Sequence, residues 1–61
     1  MIKVGDTVRV VNNTEEIKQL NLESYVGTTH NVTFVWTDQN KQLFCTIESD
    51  VEIPMSCLER I

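Results

Sequence analysis

The sequence predicts an all-β fold: a small five-stranded barrel with a long loop or short helix between its first two strands. Three observations predict it. Several short runs alternate polar and apolar residues with a period of two, the pattern of half-buried strands. One polar stretch, residues 12–24, interrupts that pattern after the first run. And a chain of 61 residues buries only about 60% of the surface it exposes when unfolded. A single open sheet of this size would leave one face wet and two raw edges, whereas a curled sheet removes much of that exposure. Hydrophobic residues make up 41% of the chain, enough for one core and one domain, residues 1–61.

The first strand lies in "VGDTVRVV". Gly5-Asp6 punctuates the chain, and Val8 and Val10 then alternate with Thr7 and Arg9. Residues 12–24, "NNTEEIKQLNLES", have Ile17, Leu20 and Leu22 as apolar anchors. Thr14 suits the N-cap of a short helix, with Glu15 and Glu16 in the first turn, where carboxylates favour the dipole. Ile17 and Leu20 are spaced to share one helical face. A long excursion loop fits this stretch equally well. Next comes "YVGTTHNVTFVW", residues 25–36. A strand of about 12 residues would reach ~40 Å, too far for one sheet of so small a domain. It must bend and serve two sheet halves, and Gly27 is where a bend costs least. "QLFCTIES" and "DVEIPM" supply two further strands, and "SCLERI" a short turn and a final strand.

Register follows from keeping apolar residues on one face, because a slip of one residue turns every side chain over. A loop over residues 38–41 sets Trp36 opposite Leu43, Phe34 opposite Cys45 and Val32 opposite Ile47. A loop over 48–50 sets Ile47 opposite Val51 and Cys45 opposite Ile53, and Asp50 tolerates the left-handed conformation such a loop often needs. The expected core is Val8, Val10, Val26, Val32, Phe34, Trp36, Leu43, Cys45, Ile47, Val51, Ile53 and Leu58. On the outer face, the same register places Val35 opposite Phe44 and Phe44 opposite Pro54. That apolar row, Val35, Phe44 and Pro54, is the candidate partner-binding site. The competing reading, favoured because Ile17, Leu20 and Leu22 need somewhere to pack, is that residues 12–24 fold over it, with Leu20 and Leu22 as cover.

The order of elements resembles an SH3-like barrel: strand, long loop, three-strand meander, short turn, strand. "YVGTTHNV" resembles the core of the KOW motif of ribosomal and transcription-elongation proteins, with Gly27 and Val32 in matching places and His30 where a second glycine is usual. "IPMSCLERI" resembles the C-terminal segment of SH3 domains, with Pro54 and Leu58 matching and Cys57 in the place of the ligand-binding tyrosine. The whole chain is also similar to small SH3-like accessory chains, such as the variable chain of ferredoxin–thioredoxin reductase, through "VGDTVRV", the long loop and "LERI". The resemblance implies a barrel; function does not follow from the fold.

Charge narrows the function classes. The net charge is −4, and Lys3, Arg9, Lys18, Lys41 and Arg60 are scattered. Binding to a phosphate backbone or an anionic membrane needs clustered cations. No apolar run approaches the ~20 residues of a membrane span, and the N-terminus has no apolar leader segment. A cytoplasmic location is therefore expected, with Cys45 and Cys57 as free thiols.

The chemistry-bearing residues are few. His30 falls near Glu48, Ser49 and Asp50, where a brace on the turn is the simpler expectation than acid–base chemistry. Cys45 reads as a core residue. Cys57 reads as structural, or as a reactive thiol if exposed near Arg60. No ligand set suits zinc, and the acidic run Glu48, Asp50, Glu52 lacks EF-hand spacing. The expectation is no enzyme, no cofactor, no metal and no small-molecule substrate. The preferred reading is a non-catalytic protein-interaction module or small accessory subunit whose partner is another protein. The alternative is KOW-like RNA binding. Recognition of proline-rich peptides ranks third, because its grooves need more aromatics than this chain offers.

Overall fold

The computed structural model describes residues 1–12 and 14–61, with Thr14 described by its backbone alone. The capping role expected of the Thr14 side chain lies outside the described residues. The fold is all-β with little helix. Strand β1 is Thr7–Val10, followed by a short helix α1, Thr14–Gln19, and a single 3₁₀ turn, Glu23–Tyr25. Then come β2, Thr29–Thr37, β3, Leu43–Ile47, and β4, Glu52–Pro54. A second 3₁₀ turn, Met55–Cys57, leads into β5, Leu58–Arg60. The strands form one antiparallel sheet of order β4-β3-β2-β1-β5. The sheet is not closed.

β2 serves both halves as expected, but it runs over nine residues, Thr29–Thr37, rather than the expected 25–36, because the chain turns through residues 25–28 before the strand begins. Residues 29–31 pair with β1, and residues 32–37 pair with β3. Val32 is the changeover: its N–H donates to Asp6 O and its carbonyl accepts from Gly5 N–H, each at 2.9 Å, while Ile47 lies opposite on the other side. Gly27 does not bend the strand. At φ 87° it makes the turn before it, closed by Thr28 N–H to Tyr25 O at 3.0 Å and tied to β1 by Gly27 N–H to Val10 O at 2.8 Å. The irregularity sits instead at Thr33, an extra residue between the pairs Val32–Ile47 and Phe34–Thr46. Its hydroxyl donates to Thr46 O at 3.1 Å.

The expected Val32–Ile47 pair holds, but this β-bulge overturns the expected β2–β3 register beyond it. The pairs are Phe34–Thr46, Val35–Cys45, Trp36–Phe44 and Thr37–Leu43. With Thr33 set aside, Val32 and Val35 face inward, and Phe34 and Trp36 face outward. Phe34 is accordingly 59% exposed rather than core, and Trp36 is half-buried. The connecting loop is one residue longer than expected, 38–42. Asp38 organises it: Oδ1 accepts from Asn40 N–H at 2.9 Å and Gln42 N–H at 2.8 Å, and Lys41 takes the left-handed conformation at φ 64°.

The β3–β4 hairpin follows the expected register. Cys45 pairs with Ile53 and Phe44 with Pro54. Ile47 N–H donates to Val51 O at 3.0 Å, and Asp50 sits at φ 64° in the loop.

The core is Ile2, Val8, Val10, Ile17, Leu22, Val32, Cys45, Ile47, Ile53, Cys57 and Leu58, with Tyr25, Val35, Val51 and Met55 packed against it. Three further expectations need correction. Val26 is 38% exposed, because the turn at Gly27 lifts it away from the sheet. Leu43 and Val51, at strand ends, are half-buried. Ile2, Ile17, Leu22 and Cys57 take the volume that Val26, Phe34 and Trp36 were expected to fill. Of the helical pair, Ile17 is buried, whereas Leu20 lies past the helix end and is 46% exposed. Among the described residues, no helix is long and apolar enough to cross a membrane.

Candidate partner-binding face

Directly paired residues project from the same face of a sheet. Two rows therefore cross the outer face of β2, β3 and β4: Trp36–Phe44–Pro54 and Phe34–Thr46–Glu52. Trp36 and Phe44 stack, with ring centroids 4.6 Å apart and planes 11° from parallel. Beside that stack a shallow cleft of about 280 Å³ is lined by Phe34, Trp36, Thr46 and Glu52. The Trp36 indole N–H is buried and has no hydrogen-bond partner among the described residues. A buried donor left unmet costs about 1–3 kcal/mol.

The expected row survives in part. Phe44 lies opposite Pro54, but Val35 lies opposite Cys45 on the inner side and packs on the core. Pro54 is fully buried and Phe44 half-buried. Phe34, exposed, and Trp36, half-buried, are the outward-facing aromatics that period-two reading assigned to the interior. The signal for them was "VTFVW": with one residue skipped, Val-Phe-Val-Trp alternates perfectly. Residues 12–24 do not supply the expected cover through Leu20, which is exposed, and Leu22 goes into the core.

The α1 side carries a second cleft, of about 470 Å³, lined by Glu16, Gln42, Leu43, Met55 and Ser56. Here Glu16 accepts from Gln42 Nε2 at 2.7 Å and from Ser56 Oγ at 2.9 Å. Both carboxylate oxygens are engaged in holding α1 to the sheet.

His30 braces the β3–β4 turn. Nδ1 lies 2.7 Å from Glu48 Oε1 and Nε2 lies 2.7 Å from Thr28 Oγ1. The other Glu48 oxygen accepts from Asn31 N–H at 2.9 Å. The Thr28 hydroxyl also donates to Tyr25 O. The Glu48 carboxyl is held below its ordinary value, first by the His30 hydrogen bond and then by backbone N–H groups.

A carboxyl lowered in the folded state stabilises it above the unfolded value, and that contribution disappears as pH falls through the folded value. Wild type is thus expected to exceed Glu48→Gln in melting temperature at neutral pH. The gap should close on acidification below the ordinary carboxyl value of 4.5. A gap constant from neutral to acidic pH in thermal melts would contradict the assignment.

Cys45 and Cys57 are free and fully buried. Burial raises both thiols, and the nearby Glu16 charge raises Cys57 further. The exposed, reactive form of Cys57 is thereby corrected: the thiol packs in the core because the 3₁₀ turn directs it inward. Both are expected to react with an aromatic disulfide reagent at least about a hundredfold more slowly in native buffer than in denaturant. Immediate native reaction of one thiol would contradict their burial. Among the described residues, no group of three or more His, Cys, Asp or Glu side chains is placed to hold a metal ion.

No protein-family model, curated protein or solved structure matches the chain.

Proposed function

We propose that this chain is a non-catalytic protein-interaction module, a small subunit or accessory domain, that meets its partner through the outer face of β2, β3 and β4. The observation that carries this reading is an aromatic surface left open on a small acidic domain: Phe34 at 59% exposure beside the Trp36–Phe44 stack. Large exposed aromatics are costly in water and typical of binding hot spots. The strand order, with β2 shared between two three-stranded halves, is what supports reading this sheet as an SH3-like barrel. One half is β5-β1-β2, the other β2-β3-β4, and the 3₁₀ turn Met55–Cys57 joins them. That arrangement presents the outer face of the second half on a rigid base.

The KOW-like segment reads less well as an RNA site. His30 is engaged with Glu48 and Thr28, and Arg9 lies 3.8 Å from Glu59.

Affinity capture with wild type and Phe34→Ser tests the module reading. The expected result is a protein partner retained by wild type and reduced at least about tenfold by Phe34→Ser, since hot-spot truncations cost about 2 kcal/mol or more. A protein solitary under native mass measurement of cell extracts, or capture unchanged by Phe34→Ser, overturns it.

A further inference from the structure

We propose that the cleft between Phe34 and Trp36 receives an arginine side chain from a basic segment of the protein partner, with the guanidinium lying against the aromatic rings and paired to Glu52. This rests on the module reading and names the chemistry its face selects.

The cleft combines two features that point to one kind of ligand. Phe34 and Trp36 supply aromatic surface, and Glu52 supplies an exposed carboxylate from the neighbouring strand row. A purely apolar occupant would strip water from Glu52 and give nothing back. An anionic occupant would meet Glu52 and a chain of net charge −4. A cation on a long hydrocarbon stem satisfies both parts: the stem covers Phe34 and the charge reaches the carboxylate.

Between the two such side chains, arginine fits better. Its guanidinium is flat, weakly hydrated, stacks on aromatic faces and pairs with a carboxylate through two parallel bonds. A lysine ammonium keeps its water more tightly and offers no plane to stack. The rest of the β3–β4 hairpin favours the same partner. Asp50 is exposed near Glu52 in sequence, so a segment with more than one cation gains from long-range attraction. Glu48 is already committed to His30.

Trp36 is the only tryptophan in the chain, so its indole N–H cross-peak and its fluorescence report on the cleft directly. The experiment titrates the ¹⁵N-labelled protein with a blocked Gly/Ser peptide carrying arginines. Parallel titrations use the same peptide with citrulline, the uncharged isostere, and with lysine. The expected result is a saturable shift of the Trp36 indole and of Phe34 for the arginine peptide. Binding should weaken at least about tenfold with citrulline, with Glu52→Gln, or with Phe34→Ser, the loss of roughly one charge-assisted contact. Added salt should weaken it too.

Citrulline binding as tightly as arginine, lysine binding as tightly as arginine, or shifts confined to the 48–50 turn each overturn the arginine assignment. So does the absence of a saturable shift. The module reading stands or falls separately. If no arginine peptide binds yet Phe34→Ser abolishes partner capture, only the arginine inference is lost. If Phe34→Ser leaves capture intact, both are lost.

Discussion

Ile47→Ala is expected to remove about 2–5 kcal/mol of stability, whereas Phe34→Ala is expected to change it by less than about 1 kcal/mol. Ile47 is wholly buried and pairs with Val32 at the point where β2 changes from one half of the sheet to the other. Truncating a buried isoleucine costs about 2–5 kcal/mol, the transfer term plus the cavity left behind. A chain of 61 residues has a total stability of only about 3–9 kcal/mol at the usual per-residue values. The truncation thus removes a large share of it. Phe34 is larger, but most of its ring is already in water. Its truncation loses a cross-strand contact with Thr46, worth about 0.2–1 kcal/mol. Urea unfolding followed by circular dichroism measures both. The comparison decides the register of β2. If Phe34→Ala were the more damaging change, Phe34 would lie inside and the bulge at Thr33 would be wrong.

Much of this fold was legible in the residues, and the exceptions have physical causes. The β3–β4 hairpin could be aligned because only one loop length keeps Cys45, Ile47, Val51 and Ile53 on a single face, and Asp50 suits the left-handed position. The same argument failed on β2–β3 because residues 32–36 are apolar on both faces. Two registers then satisfy the pattern, one regular and one with an extra residue, and period-two alternation cannot see an inserted residue. The clue lay in the loop. Asp38 accepts two backbone N–H bonds and Lys41 adopts φ 64°, a turn that needs five residues, 38–42. The brace at His30 was legible because the Val32–Ile47 pair, which lies before the bulge, sets His30 beside the 48–50 turn. The aromatic face was not, since it inherits the register error directly: residues assigned to the interior became the surface. Leu22 was missed as core for another reason. It stands alone in a polar segment, and only the tertiary path of the chain brings it inward.

Ile17→Ala is the second change expected to have a large effect, and the effect should be local. Within residues 15–24, Ile17 and Leu22 are the buried side chains. They are coupled: Leu22 N–H donates to Ile17 O at 2.9 Å. The remaining ties are the two Glu16 bonds to Gln42 and Ser56. Those are exposed, and hydrogen bonds to charged groups contribute about 1.5–3 kcal/mol at best. A helix of six residues has no stability of its own. Removing the Ile17 side chain, at about 2–5 kcal/mol, therefore strips the segment of most of what holds it to the sheet. The strands keep their own ladder and their own core. Hydrogen exchange under native conditions reads the difference. In Ile17→Ala, the amides of Leu20 and Leu22, bonded to Glu16 O and Ile17 O, should exchange about thirtyfold to several thousandfold faster, the same free energy expressed as a ratio. The Ile47 amide, bonded to Val51 O, should keep its protection, and Trp36 fluorescence should be unchanged. If protection falls equally at Leu22 and Ile47, α1 and the sheet open as one unit, and the excursion is part of the global core rather than an appendage docked on it.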